Sequence, residues 1–179
     1  MVTHEYARRM AAYNRWMNEK VYSAAARLPA SDLSADRGAF FGSVLGTLNH
    51  LLVADLIWLK RFSALAAFEA ALAPLRDLAA PTALDAMPYP DFMRLRERRQ
   101  WLDGVIQTWA DSLYAEDLQR ILEYSNTHGH RFRKRMAGVV MHFFNHQTHH
   151  RGQITTLLSQ AGVDVGETDL RALIADEPG

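Results

Sequence analysis

Met141–Gln153 is the most informative segment of the chain and reads M-H-F-F-N-H-Q-T-H-H-R-G-Q. It contains four of the chain's eight histidines, which are His142, His146, His149 and His150. Successive residues of a helix are turned by about 100°, so these histidines and Gln153 fall within about 60° of His146. Neutral imidazoles four residues apart on one helix face are typical of sites for zinc or nickel. We therefore expect a divalent metal site on this face, with a further ligand from another helix.

The helical pattern extends on both sides of this segment. Apolar residues keep a three-and-four spacing from Met136 or Ala137 onward, and Gly162 fits the position that follows the last helical residue, Ala161. The sequence therefore predicts a long last helix that ends at Ala161. The tail beyond it is weakly specified and contains one candidate helical turn, Asp169–Ile174.

Three earlier helices are predicted from apolar spacing and from N-cap residues. The first runs from Thr3 to Leu28, with Thr3 as its cap. The second follows Ser43 and runs to about Phe68, and the third follows Asp91 and runs to about Tyr114. The prediction is therefore an all-α protein with four long helices, most simply one domain over residues 1–179.

The connections between these helices differ in character. Residues 29–42 are expected to form a loop, whereas residues 70–90 contain four prolines and are too long for a tight helical hairpin, which predicts a crossover. Before the last helix, Leu122 and Tyr124 alternate with polar residues, residues 126–129 have turn chemistry, and alternation resumes over 130–133. This pattern predicts a short β-hairpin.

His50 and Asp55 interrupt the apolar pattern of the second helix. His50 is the candidate for the ligand that the last helix needs from a facing helix. Asp55 lies about 140° further round the helix, so the two cannot easily share one ion. We interpret Asp55 as a hydrogen-bonding residue behind the site or between helices, with Asn14 of the first helix as a candidate partner. Asn14 itself is either exposed or buried with a polar partner, because an unpaired buried amide costs about 1–3 kcal/mol.

Composition excludes several classes of function. The chain has no cysteine, so disulfides, thiolate ligands and a cysteine nucleophile are excluded. The formal charge is zero, which gives no general attraction to nucleic acid or an anionic membrane, and we interpret the basic run Arg94–Gln100 as a solvated face. No apolar run of about 18 residues and no secretory signal are recognised, so we expect no membrane partner and a cytoplasmic location.

Two familiar histidine and carboxylate patterns do not fit. The H-E-x-x-H pattern fails because Gln147 follows His146, and none of the eight glutamates has a histidine three residues later, as a carboxylate-bridged di-iron bundle would need. A mononuclear site remains, made of His50 and two histidines of the last helix. Three imidazoles leave coordination positions open, which is typical of a catalytic site.

Three segments resemble the DinB/YfiT-like family: A-Y-N-R-W-M-N (12–18), L-N-H-L-L-V-A-D-L-I-W-L (48–59) and H-F-F-N-H-Q-T-H-H-R-G-Q-I (142–154). The resemblance implies a four-helix bundle with a long crossover, often dimeric, and a divalent metal held by three histidines. It assigns the ligands as His50, His146 and His150. His142 is then a neighbour that could support a ligand, and His149 stands where the family often has an aromatic residue.

The activities assigned in that family are thiol-dependent transfer and isomerisation. The resemblance therefore implies a homodimeric enzyme that uses a divalent metal and a low-molecular-weight thiol on a small-molecule substrate. Imidazole ligands suit zinc or nickel best and also accept iron. Two alternatives stay open: a hydrolase that activates water, with Asp55 or His142 as the base, and a non-catalytic, stress-associated bundle in which a metal only stabilises the fold.

Overall fold

The structure, a computed structural model, describes residues 2–126 and 128–177. It is mostly helical, with a small antiparallel pair of strands before the last helix. The helices are α1 (His4–Ala25), α2 (Ala30–Ser34), α3 (Val44–Phe62), α4 (Phe92–Asp111) and α5 (Met136–Gln160), and the strands are β1 (Ile121–Ser125) and β2 (Arg131–Arg135). Among the described residues, we find no helix with the length and apolar character needed to span a membrane.

The three predicted N-caps are confirmed. The side chains of Thr3, Ser43 and Asp91 accept hydrogen bonds from backbone N–H groups in the first turns of α1, α3 and α4. Each bond satisfies a donor that the start of a helix leaves unpaired. At the other end of α5, Gly162 adopts a positive φ of 77°, as the predicted helix end requires. Local capping chemistry therefore sets where α1, α3 and α4 begin and where α5 ends.

Several predicted boundaries are wrong, and the first helix ends at Ala25 rather than at Leu28. The second long helix ends at Phe62 rather than near Phe68, and a 3₁₀ turn over Ala66–Phe68 follows it. The apolar spacing continues because Phe68 is fully buried in the same core, although the backbone has left the helix. The expected loop 29–42 contains the short helix α2, which buries Leu33.

The four long helices bring the histidine-bearing segments together. Helix α1 packs against α4 and α5, and α3 packs mainly against α5 and also against α4. Phe62 of α3 stacks on Trp109 of α4 with ring centroids 4.8 Å apart, and Phe143 of α5 meets both rings edge-on. Close aromatic packing of this kind fixes the spacing between α3 and α5. The His50 face of α3 consequently lies opposite the histidine face of α5.

The predicted β-hairpin is confirmed. Tyr124 pairs with Phe132 and Leu122 with Lys134 across the two strands, and Leu122 is buried. Thr127, which the sequence places in the turn, lies outside the described residues. The hairpin leads directly into α5 and borders its first turns.

Candidate metal centre

His50, His146 and His150 converge at one point between α3 and α5. Nε2 of His150 lies 3.1 Å from Nε2 of His50 and 3.1 Å from Nε2 of His146. The three ligand atoms all lie within 4.8 Å of one another. His50 and His150 are buried, and His146 is partly exposed. The arrangement could hold one metal ion with a side open toward solvent.

The outer ring nitrogens determine which inner nitrogens carry a lone pair. Nδ1 of His50 lies 2.8 Å from the carbonyl oxygen of Leu84, and Nδ1 of His150 lies 2.7 Å from Oε1 of Gln153. Both partners are acceptors, so each Nδ1 carries the proton and each Nε2 carries a lone pair. Two such lone pairs 3.1 Å apart repel each other unless a cation lies between them. This geometry fits a metal ion, and hydrogen bonds of this type are how metal-binding histidines are usually oriented.

The electrostatics of the cluster keep its imidazoles neutral. Burial, followed by the repulsion of the neighbouring histidines, lowers the pKa of His146 to about 3. Burial also lowers the pKa of His150 to about 4 and lowers that of His50, although the Leu84 carbonyl partly opposes the shift at His50. Neutral imidazole is the form that binds metal, so the site needs no deprotonation near pH 7.

Phe41 forms one wall of the cluster. Its ring stacks on His50 with centroids 3.7 Å apart and meets His150 edge-on at 5.6 Å. A Cβ at Gly46 would lie 2.1 Å from the carbonyl oxygen of Phe41, so only glycine allows the loop to approach the first turn of α3 this closely. Phe41 therefore covers one side of the cluster and limits water access there.

The long connection between α3 and α4 forms part of the site. Asn49, next to His50, donates to the carbonyl oxygen of Tyr89 and accepts from its N–H. Together with the bond between His50 and Leu84, this pair fixes the end of the connection across the start of α3. The connection that the sequence predicted as a crossover thus supplies the carbonyl that orients a candidate ligand.

Asp55 lies behind the cluster, and its partners differ from the one we suggested. Its two carboxylate oxygens accept from Gln147 at 2.9 Å and from Arg99 at 2.6 Å, and the side chain is 1% exposed. Gln147 follows the candidate ligand His146 on α5, so Asp55 connects that helix to α3 and α4. The suggested bond between Asp55 and Asn14 is wrong, because Asn14 donates to Asp103 instead.

The same buried network continues into α1. Asp103 accepts from Asn14 and Asn18 and lies 2.9 Å from Nη2 of Arg99. Burial raises the pKa of Asp103 to about 6, and the Arg99 guanidinium opposes that rise. Arg151 of α5 donates to Oδ1 of Asn14 and closes the network. Of the two interpretations of Asn14, the buried and paired one is confirmed.

His142 and His149 lie outside the cluster. His142 is exposed, and its ring centroid lies 6.0 Å from that of His146 and 5.1 Å from that of Trp58. Burial lowers the pKa of His142, and Arg61 and Lys134 lower it further. His149 is exposed, and its Nε2 lies 3.4 Å from the Gln153 amide that also contacts His150.

Sequence reasoning missed several residues that shape the site. Arg99 was interpreted as part of a solvated basic face, but it is 2% exposed and pairs with Asp55 and Asp103. Gln147 and Phe41 were not singled out. Helical spacing carries some signal for Arg99, because it lies four residues from the buried Leu95 and from Asp103. Phe41 lies in a loop, where no periodicity indicates its direction.

Comparison with known proteins shows similarity over nearly the whole chain. Residues 1–178 match the profile described as the DinB family. The chain is 26% identical over 165 residues to "Protein DinB" of Bacillus subtilis (strain 168), which covers 92% of this chain and 91% of that protein. No solved structure matches. The match to the family profile extends over the helices, the hairpin and all three converging histidines, and the chain therefore belongs to the DinB family.

Proposed function

We propose that this protein is an enzyme that holds one divalent metal ion through His50, His146 and His150 and activates a low-molecular-weight thiol, in a reaction of the S-transferase or isomerase type. Zinc or nickel suits three imidazoles best, with iron as the alternative. The observation that carries the metal assignment is the 3.1 Å approach of the Nε2 atoms of His50 and His150, whose Nδ1 atoms both face hydrogen-bond acceptors.

The residues of the chain each have a defined task in this proposal. His50, His146 and His150 supply the ligand atoms, and Leu84 and Gln153 keep two of the rings turned inward. Phe41 shields one side of the cluster. When bound, the metal ion would favour the thiolate form of a coordinated thiol near pH 7. The chain has no cysteine, so the sulfur nucleophile must come from another molecule.

Hydrolysis is the second candidate, and the structure narrows how it could work. Asp55 is unsuited to act as a base toward a substrate, because it is buried and accepts from Arg99 and Gln147. His142 is exposed, beside His146, and its lowered pKa keeps it neutral near pH 7. A hydrolase reaction would therefore depend on His142 as the general base.

Turnover of electrophilic substrates with and without added thiol separates these candidates. The metal-loaded protein should consume substrate only when a low-molecular-weight thiol is present, and His146→Ala should abolish this turnover. Thiol-independent ester cleavage that is lost in His142→Ala would favour the hydrolase. A metal-loaded protein that turns over neither class of substrate, yet loses thermal stability when the metal is removed, would favour the non-catalytic bundle.

Broader features of the molecule belong to the same proposal. The pattern in which α1 and α3 each pack against α4 and α5 supports a four-helix bundle with a crossover, formed as one domain over residues 1–179. The homodimer, the small-molecule substrate and the cytoplasmic location rest on the family resemblance and on composition. Light scattering of the purified protein tests the dimer directly.

A further inference from the structure

A groove runs beside the candidate metal centre, between α3, the β-hairpin and the start of α5. It has a volume of about 440 Å³, within the range of small-molecule sites. Its lining includes Trp58 of α3, Tyr124, Lys134 and Arg135 of the hairpin, and Gly138 and His142 of α5. None of the three converging histidines lines this groove, and no residue of the buried network behind them does.

Flat aromatic surfaces form one wall of the groove. The Trp58 ring meets Tyr124 edge-on at 5.2 Å and His142 edge-on at 5.1 Å. Tyr124 in turn stacks on Phe132 across the hairpin, with centroids 5.3 Å apart. Each ring is held by its neighbours, so the wall is formed before any ligand arrives. A preformed aromatic wall favours a ligand with a flat apolar body.

Positive charge surrounds the same wall. The Arg61 guanidinium lies 4.5 Å from the centroid of Trp58 and 4.7 Å from that of Tyr124, and Lys134 and Arg135 line the groove itself. The hydrogen bonds of Arg61 and Arg135 go to neutral acceptors, the Ser125 carbonyl and the Gln119 amide.

The acidic side chain of the hairpin points away from the groove. Glu123 is the one acidic residue of the hairpin segment 121–135, and it pairs with Arg133 at 2.7 Å. Glu123 and Arg133 face each other across the ladder, one position out of step with Tyr124 and Lys134, so they project from the opposite face. Within residues 2–126 and 128–177, no carboxylate forms a salt bridge with Arg61, Lys134 or Arg135. Lys134, which shares the Tyr124 face of the hairpin, is therefore available to a ligand's negative charge.

We propose that this groove binds small aromatic anions, with the flat body against Trp58 and a carboxylate or sulfonate near Lys134. His142 lines the groove, and its ring centroid lies 6.0 Å from that of His146. The groove therefore leads toward the candidate metal centre. Binding of the anion does not require the proposed enzyme activity; only a role of this anion as substrate rests on it.

Gly138 provides a way to fill the groove without disturbing the core. A Cβ built at Gly138 meets nothing within 4 Å, and the residue is exposed on α5. Gly138→Met should therefore fold normally and place its side chain in the groove. Gly104→Met is the matched control, because Gly104 also lies inside a long helix, has nothing within 4 Å of its Cβ and is not part of the groove.

Calorimetry with 2-naphthoate tests the proposal, with 2-naphthamide as the neutral analogue. We expect one site per chain with a Kd tighter than about 1 mM. We also expect binding at least about fivefold weaker for the amide, and at least about tenfold weaker for naphthoate with Gly138→Met, because charge and space are both needed. Lys134→Gln should weaken naphthoate binding and reduce its dependence on salt. Gly104→Met should bind like the unmodified protein.

The same titration on metal-free protein and on His146→Ala separates this proposal from the metal proposal. Naphthoate binding that persists in both supports the groove whether or not the metal site exists. Equal affinity for the acid and the amide, unchanged binding in Gly138→Met, or no naphthoate binding at millimolar concentration would each overturn the proposal.

Discussion

His50 and His150 each direct an unprotonated nitrogen at the same point because of what lies behind their rings. A backbone carbonyl holds the proton of one ring and a glutamine side chain holds that of the other. Without those two acceptors, either ring could turn its N–H inward and the cluster could satisfy itself by hydrogen bonds. The orientation of the outer nitrogens is therefore as important to the metal assignment as the convergence of the inner ones.

A first prediction at this scale concerns pH. In the metal-free protein, the folded pKa of His146 is about 3, well below the ordinary value of 6.5, so between these values the unfolded chain binds more protons than the folded one. The histidine contribution to stability is therefore unchanged above about pH 6.5 and falls as the pH is lowered through the window from 6.5 to 3. Urea midpoints of metal-free protein at pH 7, 6 and 5 measure this effect.

His146→Gln is the control for that series, because Asp55 and Asp103 act in the opposite direction. Burial raises the folded pKa of both carboxyls above the ordinary value of 3.8. Their contribution to the free energy of unfolding therefore falls as the pH rises above that value. The variant keeps these carboxyls and removes one depressed histidine. Its midpoint should fall less than that of the unmodified protein between pH 7 and pH 5, and equal slopes would contradict the assignment.

Individual residues also show where sequence reasoning reached its limit. The spacing of His146 and His150, together with His50 and the family resemblance, was enough to name the three histidines that converge. Leu84, Gln147 and Arg99 were not predicted, because their roles depend on partners that lie far away along the chain. A helical wheel places a side chain on a face, but it does not say whether an arginine on that face finds a buried carboxylate.

At the scale of elements, the loop before α3 determines how closely Phe41 approaches the candidate ligands. Gly46 lies in the first turn of α3 and donates its N–H to the Ser43 cap. Its lack of a side chain lets the Phe41 carbonyl pass directly over it. A cap, a glycine and an aromatic residue within six positions therefore set one wall of the site.

Gly46→Ala tests this element. The added Cβ would lie 2.1 Å from the Phe41 carbonyl oxygen, so the loop must move, and we expect a loss of about 1–3 kcal/mol in the free energy of unfolding. Gly104→Ala is the matched control, since its Cβ meets nothing within 4 Å and alanine favours a helix by about 0.5–1 kcal/mol. Chemical denaturation of both variants decides the question. Equal stability would show that the close approach is unimportant.

The elements themselves were largely predictable. Thr3, Ser43 and Asp91 marked the starts of three helices because capping is local chemistry between neighbouring residues. The hairpin followed from alternation and turn residues. The end of α3 was not predictable, since Leu65 and Phe68 continue the apolar pattern in a segment that leaves the helix and remains packed on the core.

At the scale of the whole molecule, one buried polar network joins all four long helices. It includes two carboxylates and two guanidinium groups, from Asp55, Asp103, Arg99 and Arg151, and each is at least 97% buried. Buried charges are costly unless they are paired, so this network favours the one helix arrangement in which all partners meet. Because Gln147 belongs to the network, the same arrangement sets the rotation of α5 and hence the direction of His146 and His150.

Asp55→Ala tests the network. Removing this carboxylate takes one partner from Arg99 and one from Gln147. Breaking a buried ion pair in this way costs about 3–5 kcal/mol. Glu19→Ala is the control, because Glu19 pairs with Arg15 on the surface, where such pairs contribute less than about 1 kcal/mol. Urea denaturation of the two variants should differ accordingly. A small loss in Asp55→Ala would show that the network is not needed for stability.

The central claim is that the three converging histidines hold one metal ion. Elemental analysis of purified protein, reloaded with zinc or nickel and then desalted, tests it most directly. We expect about one ion per chain, loss of that ion in His50→Ala, His146→Ala and His150→Ala, and retention in His142→Ala and His149→Ala, whose residues lie outside the cluster. Protein that holds no stoichiometric metal after reloading, or that keeps it in the His146→Ala/His150→Ala double variant, would contradict the claim.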